Sequence, residues 1–111
     1  MNNNDQSAAI RALNDAFRQS LTGGTLMLTV GIIALGAETQ AQILAAVRAF
    51  DQFDADNDPW GEHDMGALDV AGERVFFKLD YFDPTRAMLS DDPADPSKTE
   101  RVLTIMLASE Y

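Results

Sequence analysis

The chain has no cysteine, a single histidine, a single tryptophan and four prolines in 111 residues. Without thiols there is no disulfide framework, no thiolate zinc site and no cysteine nucleophile, which agrees with a reducing compartment. One imidazole leaves a histidine-based zinc site without its further ligands. Basic residues are also scarce: eight Lys and Arg against eighteen Asp and Glu give a net charge of −10. Phosphate backbones demand the opposite sign, so direct nucleic-acid binding is not expected. Long apolar runs are missing too. The most apolar, Leu26 to Leu35, is far shorter than the roughly 20 residues of a membrane helix and reads as core. Met1-Asn-Asn-Asn-Asp-Gln6 lacks the basic-then-apolar order of a secretory signal. The expectation is one cytoplasmic domain over residues 1–111, residues 1–5 disordered, with no membrane partner.

The apolar residues that are present are patterned. Ile10, Leu13, Phe17 and Leu21 recur at spacings of three and four and predict an amphipathic helix over Gln6–Leu21, with Arg11, Asp15 and Arg18 off its apolar stripe. Gly23-Gly24 ends it; without a following lysine and hydroxyl residue the pair is punctuation rather than a phosphate cradle. Thr25–Ile32, apolar at both parities, predicts a buried strand. Ile43, Leu44, Val47 and Phe50 mark the inner stripe of a second helix that opens near Glu38.

Ala71-Gly72 separates two runs whose cross-strand pairing is self-consistent. A two-residue loop pairs Val70 with Glu73, Leu68 with Val75 and Gly66 with Phe77 on a mainly apolar face, and Asp69 with Arg74 and Met65 with Lys78 on the other. Phe76 falls on the charged face and is expected to be covered. Val102–Ala108 predicts a central strand, because a lone hairpin needs a third partner. Ser97-Lys-Thr-Glu100 then marks at most a single capped turn. The predicted architecture is α+β: two helices packed on one face of a small, mainly antiparallel sheet containing the hairpin.

Between helix and hairpin lies Asp51-Gln-Phe-Asp-Ala-Asp-Asn-Asp-Pro-Trp-Gly-Glu-His-Asp64, with six acids, no base, and the only Trp and His. Its carboxylate alternation suggests a calcium loop, but the register fails: from Asp54, the turn-glycine position is Pro59 and the bidentate-glutamate position is Met65. Ser90–Ser97 adds Asp91, Asp92 and Asp95, so these two loops hold nine of the eighteen acids. Whether they lie side by side is not readable from the pattern. Glu62-His63-Asp64 is the one place where an imidazole has carboxylate neighbours. A hydrolase triad would need a positioned serine, and Ser7, Ser20, Ser90, Ser97 and Ser109 sit in no Gly-x-Ser-x-Gly elbow. His63 reads better as a partner ordering the loop, and Trp60 as a lid on the core.

Arg11–Arg18, Arg48–Asp51, Asn57–Asp64, Asp92–Pro96 and Arg101–Tyr111 together resemble an uncharacterised family of small bacterial proteins, catalogued as a domain of unknown function. The resemblance covers nearly the whole chain and implies a small bacterial protein. It brings no activity, cofactor or residue roles.

The functional expectation is therefore a non-enzymatic acidic protein that meets a basic protein surface through Asp51, Asp54, Asp56, Asp58, Trp60, Glu62, Asp64, Asp91, Asp92 and Asp95. Neither catalytic residues nor a cofactor are assigned. Its most specific form is a nucleic-acid-mimicking inhibitor of a host-defence nuclease complex, of anti-CRISPR or anti-restriction type, with carboxylates standing in for phosphates. One alternative is a small magnesium- or manganese-dependent enzyme using Asp54, Asp56, Asp58, Glu62 and Asp64. Another is an antitoxin-like or scaffolding subunit with an apolar patch around Phe76 or Phe82.

Overall fold

The computed structural model describes residues 3–111, with side chains from Gln6 onward. The first helix, α1, runs Asn3–Ser20. Of the stretch 1–5 expected to be disordered, residues 1 and 2 lie outside the described residues, whereas Asn3 begins α1. Along α1 the buried residues are Ile10, Asn14, Phe17 and Arg18. Their spacing is that of one helix face, but half of them are polar. The expectation that Arg18 lies off the stripe is wrong: it is 1% exposed. Leu21, in the left-handed region at φ 59°, and Gly23 at φ 94° turn the chain out of α1.

The strand expected over Thr25–Ile32 is shorter. β1 spans Thr25–Leu28, and Val30–Ile33 winds into the one-turn helix α2. Glu110 supplies the reason: its carboxylate accepts from Thr29 Oγ1 at 2.6 Å and from Gly31 N at 3.0 Å, satisfying donors at the start of that turn. The next helix, α3, covers Ala37–Ala49 and buries Ile43 and Val47, as its stripe predicts.

β2 (Met65–Val70) and β3 (Glu73–Phe82) form the hairpin in the predicted register, from Val70↔Glu73 to Met65↔Lys78. Ala71 at φ 53° and Gly72 at φ 81° both take the left-handed conformation that a tight hairpin turn requires. β4 (Glu100–Leu107) is the predicted terminal strand, preceded by a single 3-10 turn, Pro96–Lys98. That turn is capped by Asp95, whose side chain accepts from Ser97 N.

The four strands form one sheet in the order β1-β4-β3-β2, with β1 parallel to β4 and the other pairs antiparallel. The fold is α+β. Phe17, Ile32, Ile43 and Val47 from the helices pack on Val75, Phe77, Leu79, Leu103 and Ile105, which share one sheet face by their parity. On the opposite face Phe76 is half-buried, covered edge-on by Tyr111 with ring centroids 5.5 Å apart. Among the described residues no helix is long and apolar enough to cross a membrane.

Candidate functional site: an acidic loop locked to helix α1

The loop begins where α3 ends. The last carbonyls of a helix have no partners within it, and here Arg18 supplies them from α1. Its Nη1 donates to Val47 O at 2.9 Å, Arg48 O at 3.2 Å and Phe50 O at 2.9 Å. Nη2 of the same guanidinium donates to Asp15 Oδ1 at 3.0 Å. The guanidinium also lies 5.4 Å from the Phe53 ring and 5.7 Å from the Phe77 ring. A buried cation is tolerable only when paired and hydrogen-bonded, and Arg18 meets both conditions through Nη1 and Nη2, Nε alone lacking an acceptor.

Asp15 then reaches the far end of the loop. His63 Nδ1 lies 2.8 Å from Asp15 Oδ1, and its ring stacks on Phe53 with centroids 3.8 Å apart. The other ring nitrogen, Nε2, is 3.6 Å from Asp58 Oδ2. Asp58 is itself buried, at 8% exposure, and its Oδ1 accepts from Glu62 N and His63 N, both at 3.1 Å. His63 is held in the left-handed region, φ 55°, an uncommon conformation for a non-glycine residue. The expected loop-ordering role of His63 matches this geometry.

A second set of bonds joins the loop to the sheet. Asn14 Nδ2 donates to Glu62 O at 3.0 Å and to Tyr81 Oη at 2.8 Å, and Tyr81 Oη donates to Glu62 Oε1 at 2.8 Å. Arg11 Nη1 donates to Gly61 O at 2.8 Å. Burial pushes the Tyr81 phenol up, and the Glu62 carboxylate pushes it further. Asp64 is likewise raised above its ordinary value of 3.8, by burial first and by the nearby charges of Glu62, Asp58 and Asp80.

The ten residues expected to face a partner therefore do not act alike. Asp51, Asp54, Asp56 and Asp91 are exposed; Glu62, Asp64, Asp92 and Asp95 are half-buried; Asp58 faces inward. Asp95 is occupied by Ser97, whose N and Oγ it accepts at 2.9 and 2.7 Å, and those bonds hold its carboxyl below the usual range. Trp60, expected as a lid on the core, is instead 75% exposed. It projects from a rigid frame: Asp54 Oδ1 accepts from Asp56 N at 2.8 Å and Asn57 N at 3.0 Å, while Asn57 Nδ2 donates to Gln52 O at 2.7 Å.

Two clefts show how the acidic loops are arranged. Asp15, Arg18, Gln19, Phe50, Asp51, Phe53 and His63 line one of about 320 Å³. Leu13, Ala16, Ser20, Pro96, Thr99 and Arg101 belong to the wall of another of about 260 Å³. At 3.6 residues per turn these two sets of α1 residues lie on opposite flanks of the helix. Loop 51–64 borders the first cleft and loop 90–97 the second, and the two loops are joined through Asn14, which bonds Glu62 O and Arg101 Nε, and through Arg101, which bonds Pro93 O.

Among the described residues no group of three or more His, Asp and Glu side chains is arranged to hold a metal ion. Asp54 and Asp58, proposed ligands of a magnesium or manganese site, spend oxygens on backbone amides of their own loop. Sequence reasoning passed over Asn14, Asp15, Arg18, Tyr81 and Arg101, which organise the region. For Asn14 and Arg18 a signal existed: they are four apart and share the face of Ile10 and Phe17.

Neither the curated proteins nor the solved structures contain a match to this chain. Residues 28–110 match the family model described as "Protein of unknown function (DUF3768)", and the chain belongs to that family.

Proposed function

We propose that this protein is a binding module that engages a basic protein surface through Trp60 and the outward carboxylates of its loop, Asp51, Asp54 and Asp56. One observation carries the reading: the only tryptophan is 75% exposed on a loop whose conformation is fixed by side-chain bonds to α1 and within itself. Tryptophans are over-represented among residues that dominate binding energy, and a pre-ordered loop loses little entropy on association. A net charge of −10 adds long-range attraction to a cationic partner, speeding encounter and making it salt-sensitive. The inward hydrogen bonds of Asp58, Glu62 and His63 serve this role by holding the loop.

Capture of partners from the native cell on immobilised protein tests the reading, at low and at high salt. The expected result is a basic partner lost at high salt and lost from Trp60→Ala, with the triple variant of Asp51, Asp54 and Asp56 to Asn mainly slowing association. Retention by Trp60→Ala, or indifference to salt, overturns it. A captured nuclease complex displaced by competing DNA would identify the inhibitor form, with the protein occupying a nucleic-acid channel.

A further inference from the structure

Arg101, on β4, is as deeply placed as Arg18 but is treated differently. It is 3% exposed, its Nε donates to Asn14 Oδ1 at 2.8 Å and its Nη2 donates to Pro93 O. The guanidinium lies 5.4 Å from the Tyr81 ring. Among the described residues, however, no carboxylate oxygen comes within 4.0 Å of it, in a chain with eighteen acids. Buried guanidinium groups are usually neutralised by a carboxylate or phosphate. Here the direct acceptors are an amide, a carbonyl and a π face, all uncharged; the negative charge that acts on the group is Glu62, held on the far side of Tyr81.

The third nitrogen, Nη1, has no acceptor among the described residues. Among the described residues Arg18 Nε is the one fully buried side-chain nitrogen or oxygen without a partner, so Arg101 Nη1 touches accessible space. Arg101 lines the cleft of about 260 Å³ between α1, the Thr22–Gly23 turn and the loop before β4. The cleft has an apolar side, Leu13, Ala16 and Phe17, and a hydroxyl side, Ser20, Thr22 and Thr99. Ser20 donates to Ala16 O at 2.7 Å, so in the 2.9 Å contact between the two hydroxyls Thr22 is the donor, and an anion in the cleft would draw that proton away from Ser20.

We propose that this cleft binds a small amphipathic molecule through an oxyanion group, received by Arg101 Nη1 and the Thr22 hydroxyl, with the ligand's apolar body against Leu13, Ala16 and Phe17. The planar fork of arginine suits carboxylate and phosphate alike. The cleft opens on the opposite flank of α1 from the Trp60 loop, although Asn14 bonds both Arg101 and Glu62 O; the proposal does not rest on the partner proposed for that loop. An arginine that only ties α1 to the loop before β4 would show no response to small anions.

The test is a two-dimensional amide NMR titration of the full chain with sodium phosphate and, separately, sodium acetate, ionic strength being matched with chloride. Saturable shifts are expected at Thr22, Gly23, Thr99 and Arg101, with chloride alone giving none. Ala16→Phe fills the cleft without touching the Arg101 hydrogen bonds and should weaken binding at least roughly tenfold. Arg101→Lys, if it folds, should weaken it as well. Tighter binding of phosphate assigns a phosphoryl ligand, and tighter binding of acetate a carboxylate. No saturable response to either anion, or a response that persists in Ala16→Phe, overturns the proposal.

Discussion

The hairpin β2–β3 and the acidic loop that feeds it are neighbours in the chain but are held in opposite ways. Every cross-strand pair of the hairpin lies within a few residues of its turn, and its charge pair, Asp69 with Arg74 at 3.3 Å, sits at the surface. The loop is fixed from outside by α1, through bonds spanning 48 residues from Asp15 to His63 and 29 from Arg18 to Val47. Charge does unequal work in the two regions. In the hairpin it tunes a register already set by the turn and the apolar alternation, whereas at the loop it closes a helix end and determines which carboxylates face outward.

The comparison breaks most readily at Arg18. Arg18→Ala removes the donor for three carbonyls at the end of α3 and a partner of Asp15, and leaves a void beside Phe53 and Phe77. Breaking a buried, hydrogen-bonded charge network costs about 3–5 kcal/mol. The expected result in urea denaturation is a loss of that order, with Arg18→Met, which keeps most of the volume, recovering little. Should Arg18→Met be as stable as the parent, the hydrogen bonds at the helix end contribute nothing net, and the loop is held by packing alone.

A reader of the sequence sees the hairpin better than the loop for the same reason. Alternation and a two-residue turn determine a register locally, so Val70↔Glu73 through Met65↔Lys78 could be written down from the chain. The helix α3, with Ile43 and Val47 inward, was equally legible. Asn14 and Arg18 were not, because a hydrophobic stripe is searched for by apolarity and both are polar, although they stand at the buried positions of α1. The β-branched residues Val30 and Ile32 argued for strand, yet Glu110, about 80 residues on, caps a helical turn there. The division of the loop into outward Asp51, Asp54 and Asp56 and inward Asp58 depends on partners in α1 and β3 that local composition does not reveal.

Acid titration sharpens the comparison, because Asp64 stands at the junction of loop and hairpin. Burial and the charges of Glu62, Asp58 and Asp80 raise its folded value above 3.8. Between the ordinary and the raised value, the folded protein holds a proton that the unfolded chain has released. The contribution of Asp64 to stability is therefore largest below the ordinary value and is lost as pH rises through the raised one. Asp83, Asp95 and Glu110, whose values are lowered by hydrogen bonds, act in the opposite sense and lose their contribution only at more acid pH. Urea midpoints across mildly acid to neutral pH are expected to fall with rising pH, and to fall less in Asp64→Asn. An unchanged slope in that variant would mean that the proton on Asp64 does not contribute to stability.

The smallest effect belongs to the hairpin's own charges. Asp69 and Arg74 are 76% and 54% exposed, so water and salt screen their attraction. Asp69→Ala should cost about 0.2–1 kcal/mol at low ionic strength and close to nothing in concentrated salt, with the register intact by amide NMR. The loss in Arg18→Ala, by contrast, should depend little on salt, since Arg18 is buried and three of its four acceptors are uncharged backbone carbonyls. A large, salt-resistant loss in Asp69→Ala would mean that this pair, and not the left-handed Ala71-Gly72 turn with the alternation of Leu68, Val75 and Phe77, is what holds β2 against β3. The distinction between a locally specified hairpin and a remotely specified loop would then be lost.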